Sequence, residues 1–168
     1  MSTYWLLIGS FNPLITTLQF TTTTSPPTLS FVTQSKSGSS PSWLANCPKY
    51  PTTIYATDET DAGFINSLKL DLDTGNLTPI ANVSTQGGAP THLGFINDGA
   101  SLGAANFIGG SAFIVDLDTT GQFISNGSLV TFQGSGPVLP NQASSHAHQV
   151  SIVFRSRSPR TTLQIGFL

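Results

Sequence analysis

Charge is scarce in this 168-residue chain. Fourteen residues are charged, 8% of the total, where a globular domain carries about a quarter. Helices with solvated outer faces need such charges, so a helical bundle is disfavoured. A net charge of −2 gives no electrostatic footprint for nucleic acid or another polyanion. The single cysteine, Cys47, excludes an internal disulfide framework and any all-cysteine zinc site. No apolar run approaches the roughly 18 residues of a membrane-spanning helix. The start, Met1-Ser-Thr-Tyr-Trp-Leu-Leu-Ile8, lacks a basic segment and has too short an apolar run for a secretory signal. A cytoplasmic protein with no membrane or nucleic-acid partner is therefore the expectation. Arginine is missing from residues 1–154 altogether, and no acid lies outside Asp58–Asp118.

Ser and Thr are abundant, 43 residues together, and Gly plus Pro add 27. This composition suits short strands joined by tight turns. Residues 1–154 carry a formal −5 and the last fourteen +3, from Arg155, Arg157 and Arg160. The chain therefore divides into residues 1–150 and an atypical basic tail, 151–168. The tail reads as a departure from the ancestral reading frame near residue 150, or alternatively as a phosphorylatable Arg-Ser segment.

The body repeats. Pro41-Ser-Trp-Leu44 aligns with Pro90-Thr-His-Leu93, and Thr53–Thr57 with Ser101–Ala105. Phe64–Gly75 then aligns with Ser111–Gly121, and Leu77 with Phe123. A partial copy precedes them in Leu6–Phe11, Ile15–Phe20 and Leu29–Val32, and another start follows at Ala147-His-Gln-Val150. Each unit holds four short strands. Asp71-Leu-Asp-Thr-Gly75, Asp116-Leu-Asp-Thr-Thr-Gly121 and Asn97-Asp-Gly99 place an Asx acceptor before a glycine that can take positive φ, which closes a hairpin. Four-stranded units at a period of 45–50 residues predict an all-β fold of β-propeller blades, each a four-stranded antiparallel sheet. A two-sheet sandwich gives no reason for such a repeat.

In order, Gly87-Gly-Ala-Pro-Thr-His-Leu93, Ala104-Ala-Asn-Phe-Ile-Gly-Gly-Ser-Ala112, Gly134-Ser-Gly-Pro137, Gln142 and Ser145-His-Ala-His-Gln-Val150 resemble the seven-bladed lactonase family. That family includes propeller-type 6-phosphogluconolactonases and fungal 3-carboxy-cis,cis-muconate lactonizing enzymes. The first unit, with Asn12-Pro13 and Ser42-Trp43-Leu44, is more similar to the fungal cycloisomerase type. The chain departs from the family where Asn141, rather than Arg, precedes Gln142, and where the Arg-Ser tail follows Val150. The resemblance thus implies a truncated member, a partial ring of about three of seven blades.

The resemblance also implies a small-molecule substrate, a lactone or a cis,cis-muconate-type organic acid, and no cofactor. His146 and His148 stand at i and i+2, so both point to one face if their segment is a strand. The family pattern puts a histidine of this loop at the central funnel as general acid or base; His148 is preferred over His146. The same likeness makes Asn106, Gly109, Gly110, His92 and Gln142 substrate-facing. His92 with the two other histidines could hold a metal. Since His92 takes the place of Trp43, packing is the better reading, and no metal is expected. Asp58 and Glu59 read as exposed turn acids, Cys47 as a buried thiol. Anionic substrates call for arginine forks, which residues 1–154 lack. The whole is expected to be one wall of a lactonase or cycloisomerase site, inactive by itself; the alternatives are a non-catalytic propeller fragment or binding module, or an artefact of the gene model. Self-association is expected through open blade faces bearing Phe64, Ile65, Phe113, Ile114, Phe123, Ile124, Phe154, Phe167 and Leu168.

Overall fold

The computed structural model describes residues 2–124, 126–154 and 161–167. Among the described residues there is no helix and there are thirteen strands. The first sheet has β1 (Thr3–Ile8), β2 (Leu14–Thr21) and β3 (Thr28–Lys36) in that order. The second runs β4 (Leu44–Asn46), β5 (Thr53–Asp58), β6 (Phe64–Leu70) and β7 (Leu77–Ser84). The third runs β8 (Pro90–Ile96), β9 (Ser101–Asn106), β10 (Ser111–Asp116) and β11 (Ser128–Thr131). A final pair joins β12 (Ala147–Phe154) to β13 (Thr161–Phe167). Neighbours within every sheet are antiparallel and sequential. The expected succession of blade-like sheets is thus present, as two complete four-stranded sheets flanked by two shorter ones.

The composition change at residue 151 falls inside β12, which continues to Phe154 and pairs with β13. Arg155, Arg157 and Arg160, which carry the basic character of the tail, lie outside the described residues.

The hairpins close where the Asx residues predict. The Asp71 carboxylate accepts the amides of Asp73 and Thr74 at 2.8 and 3.1 Å. The Asp118 carboxylate accepts those of Thr120 and Gln122 at 2.7 and 2.9 Å. These backbone donors hold both carboxyls below their ordinary range, the Asp73 amide leading at Asp71 and the Gln122 amide at Asp118. Asn97 and Asp98 take φ of +50° and +51°, a region these two residue types tolerate better than other side chains.

What joins one sheet to the next is more specific than apolar contact. Trp5 of β1 donates its indole N–H to the Leu72 carbonyl at 3.0 Å, and Thr17 of β2 donates to the Gly75 carbonyl at 2.8 Å. One sheet on, Tyr55 of β5 donates to the Gly121 carbonyl at 2.5 Å. Tyr50 donates to the carbonyls of Gly99 and Asp118 at 3.1 and 2.8 Å. Each Asx turn is therefore received by polar side chains of the preceding sheet. Burial at Tyr55 disfavours the phenolate and pushes its hydroxyl pKa well above the ordinary tyrosine value. Around this contact Tyr55, Ile65, Leu93, Leu102 and Phe113 form the principal core between the second and third sheets. Phe95 and Phe123 meet Tyr55 edge-on at 5.4 and 6.0 Å. A second core of Ile15, Ile54, Ala56 and Leu68 joins the first two sheets.

The exposed apolar face lies elsewhere than the sequence suggests. Ile65 and Phe113 are wholly buried, Phe64, Ile114 and Phe123 are half-buried, and Ile124 alone of the described residues in that group is exposed. The side chains of Phe154, Phe167 and Leu168 lie outside the description. The reason is that both faces of the second and third sheets are covered. The open face belongs to the first sheet. Register sets Tyr4 beside Phe20 beside Leu29, and Leu6 beside Leu18 beside Phe31, with Phe31 at 64% exposure. The central strands β5 and β9 are buried throughout, whereas β1 alternates between exposed and half-buried.

Two substitutions measure these contacts. Phe113→Ala should cost roughly 3–5 kcal/mol, the range for truncating a core phenylalanine. Tyr55→Phe should cost roughly 1–3 kcal/mol, because it strands a buried carbonyl while keeping the ring. Urea unfolding of each variant checks both; a Tyr55→Phe chain as stable as the parent would remove the turn-receiving bond from the account.

Candidate active site

Three connections meet at one end of the sheets: residues 85–89 before β8, 107–110 between β9 and β10, and 132–146 before β12. They touch backbone to backbone. The Phe107 amide donates to the Ala89 carbonyl at 2.8 Å, the Gly109 amide to the Gly88 carbonyl at 3.1 Å, and the Phe132 amide to the Gly110 carbonyl at 2.8 Å. Gly110 has φ +51°, and a Cβ there would sit 2.4 Å from the Ser145 carbonyl oxygen. Gly63, at the same place one sheet earlier, has φ +59° and a Cβ position 1.9 Å from the Gly87 carbonyl. Glycine is required at both places, by conformation and by space.

This packing presents an aromatic row. His146 stacks on Phe107 with ring centroids 4.5 Å apart, and His148 meets the same ring edge-on at 5.9 Å. Both histidines meet this ring, although His146 lies just before β12 and a register shift between Ala147 and Gln149 breaks the strand alternation on which the reading of their spacing rests. His146 is half-buried and His148 exposed. The Nδ1 of His146 lies 3.0 Å from the Phe107 carbonyl oxygen. A carbonyl can only accept, so Nδ1 donates in this contact, and in the neutral ring the lone pair falls on Nε2. His146 also borders an open cleft of about 510 Å³ with Phe107, Pro140, Asn141 and Gln142.

The other expected residues play varied parts. Gln142 braces its own loop: its side-chain oxygen accepts the Val138 amide at 3.1 Å, and its carbonyl the Gly136 amide at 2.8 Å. Asn106 is fully buried. Its amide donates to the Thr85 carbonyl at 3.2 Å and to the Ser111 hydroxyl at 3.0 Å, while its Oδ1 has no partner. Asn106 thus holds the floor beneath the glycine turns. The His92 ring lies 4.2 Å from that of Trp43 in a tilted contact, so the two residues aligned by the repeat touch across neighbouring sheets. Burial and then the charge of His148 hold the His92 pKa below its ordinary value. Among the described residues no group of three His, Cys, Asp or Glu is placed to hold a metal ion.

Asp58 corrects its reading as an exposed turn acid. It is 9% exposed, and its Oδ1 accepts the Ser39 and Ser40 amides at 2.9 and 2.8 Å. It anchors the connection before β4 as Asn106 anchors the one before β8. Glu59 is half-buried and accepts the Ser42 hydroxyl. Cys47 is buried, as expected. Phe107 is the contributor that the residue-by-residue reading missed. It follows the buried Asn106 at the end of β9 and is the first residue of the turn into β10.

A family model described as Lactonase, 7-bladed beta-propeller matches residues 6–155. The chain belongs to the seven-bladed β-propeller lactonase family. Over 100 residues it is 29% identical to a 6-phosphogluconolactonase of Formosa agariphila, covering 60% of this chain and 28% of that protein. In fold it is similar to the periplasmic gluconolactonase of Pseudomonas aeruginosa, with TM-score 0.78, 24% identity, and coverage of 89% of this chain and 44% of the other. A Bacteroides fragilis structure gives TM-score 0.79 at 23% identity, over 90% and 42%. The chain spans less than half the length of each of these relatives. The family description and these relatives' names concern lactones; none mentions the lactonizing cycloisomerisation suggested by the first unit.

For this family member, Gly110→Ala should lose more than about 1 kcal/mol of stability, since its left-handed backbone and the Ser145 carbonyl both oppose a side chain. Gly134→Ala, whose Cβ would meet only the Ser145 hydroxyl at 3.4 Å, should stay within about 0.5 kcal/mol. Chemical denaturation separates the two. The His92 shift makes a pH prediction. As pH falls through the ordinary histidine value of 6.5, the unfolded chain takes up a proton that folded His92 resists, so stability is lost. His92→Phe, which retains a ring against Trp43, should flatten the decline in urea midpoint between about pH 7.5 and 5.5. An unchanged decline in that variant would assign it to other groups.

Proposed function

We propose that this chain supplies the histidine wall of a site that opens a small lactone by attack of water. The hydrogen bond from His146 Nδ1 to the Phe107 carbonyl carries this reading. It leaves Nε2 as the basic nitrogen beside the cleft, and ring stacking on Phe107 keeps the imidazole in that orientation. In the proposed reaction Nε2 takes a proton from water as its oxygen adds to the lactone carbonyl. The tetrahedral carbon then expels the ring oxygen, which is protonated as the hydroxyl of the acid product. His148, exposed on the edge of the same aromatic ring, is assigned the proton exchange with solvent that resets His146. The hydrogen bond thus shifts the base from His148, preferred on the motif, to His146.

The names of the relatives support gluconolactone-like substrates. No lysine or arginine borders the cleft among the described residues, so this wall fits the neutral part of a lactone rather than a phosphate group. A single wall does not enclose a substrate from water, and turnover by these 168 residues is expected to stay near the buffer rate.

The test is proton release from gluconolactone in a pH-stat, with the chain alone and with the chain fused to the remaining sheets of a full-length relative. The fusion should hydrolyse the lactone. His146→Ala should then lower kcat by roughly 10²–10⁴, the span for a general base, with a smaller loss for His148→Ala. Equally small losses from both substitutions would make the histidines structural and end the proposal.

A further inference from the structure

At the opposite end of β8 and β9 from the histidines lies a second cavity, of about 460 Å³. It opens between the connection Cys47–Lys49, the turn Asn97–Gly99 and Ile152 of β12. Pro48, Phe95 and Ile152 give it apolar walls, and Lys49 and Asp98 also line it. Phe95 is held from behind by its edge-on contact with Tyr55. The Lys49 ammonium stands 5.3 Å from the centre of the Tyr50 ring, whose hydroxyl is fixed to two carbonyls. Asp98 is carried on a left-handed turn closed by the Ala100 amide on the Asn97 carbonyl at 3.0 Å. Among the described residues neither charged side chain has an ion pair or a protein hydrogen bond. The floor is the buried Cys47 thiol, packed against Gly99.

A concave space of this size, mostly apolar and with few charged groups, is the usual form of a small-molecule site. The charges select the occupant. A simple anion would gain at Lys49 and lose at Asp98; a simple cation would do the reverse. A molecule bearing both charges uses both. We propose that this cavity binds a free α-amino acid with an apolar side chain, its carboxylate at Lys49, its ammonium at Asp98 and its side chain against Pro48, Phe95 and Ile152. The site is separate from the histidine cleft and does not depend on the lactone reading.

Cys47 provides a local readout, because an occupant above the thiol slows its alkylation. The parent chain is treated with N-ethylmaleimide in the presence of L-phenylalanine, of 3-phenylpropionate, which lacks the ammonium, or of phenethylamine, which lacks the carboxylate. Binding is measured in parallel by calorimetry. L-Phenylalanine should protect Cys47 with a half-effect at roughly 1 mM, the strength open to so small a ligand. Each half-ligand should need about tenfold more, the loss of one charge-assisted contact. Lys49→Met and Asp98→Asn should each weaken L-phenylalanine by a similar factor; Asn suits the left-handed backbone at that position. Equal protection by 3-phenylpropionate and L-phenylalanine would overturn the zwitterion assignment. Absence of calorimetric binding of L-phenylalanine to the parent chain would overturn the site, whatever the variants do.

Discussion

The structure depends on how one sheet receives the turn of the next. The sheets carry few charges, and an apolar interface alone leaves sliding of one sheet over another nearly free. The hydrogen bonds from Trp5 and Thr17 to the Leu72 and Gly75 carbonyls, and from Tyr50 and Tyr55 to those of Gly99, Asp118 and Gly121, remove that freedom. Each ends on a carbonyl of a tight turn that an Asx side chain or a left-handed residue has already fixed. For the buried bonds of Thr17, Tyr50 and Tyr55, donor and acceptor must meet at one separation, since a missed bond costs the desolvation of both groups. The aromatic ring brings apolar area and its polar tip brings register, so the same side chain serves core and alignment.

That alignment produces the candidate site. With the sheets held in register, their loop ends converge, and the turn at Gly110 comes close enough to Ser145 to exclude a side chain. Asp58 and Asn106 stand at equivalent points beneath two successive connections, one as an acceptor and one chiefly as a donor. They keep the loops rigid without entering the cleft. Upon this floor the Phe107 carbonyl and ring fix His146 by two different interactions, a hydrogen bond and a stacking contact. An imidazole held in this way has little rotational freedom left to lose.

The two ends of the sheets differ in character. The histidine end is built from backbone contacts and aromatic rings, and its cleft is bordered by no lysine or arginine among the described residues. The other end combines an apolar cavity with one cation and one anion. Between them β9 is buried at every position. The apolar face of the first sheet stands apart from both ends, with Tyr4, Leu6 and Phe31 open to solvent.

Much of this architecture was legible in the residues. The repeat of Asp71–Gly75 and Asp116–Gly121, the alternation of short apolar runs and the scarcity of charge specify four-stranded units, because turn chemistry and strand period are local properties. Burial was less legible. Asp58 reads as a surface acid until the Ser39 and Ser40 amides, eighteen or more residues away, are brought to it. The expectation that Ile65 and Phe113 line open faces failed because alternation along a strand shows two faces without showing which of them another sheet covers. That His146, and not His148, meets a backbone carbonyl was beyond the motif as well. It turns on a carbonyl 39 residues distant in the chain, which only the packing of three connections places beside one imidazole. The sequence by itself determined strands, turns and the repeat, since these follow from neighbours along the chain; the tertiary structure decided which polar groups are buried and which imidazole nitrogen meets a carbonyl, since those depend on groups that only folding brings together.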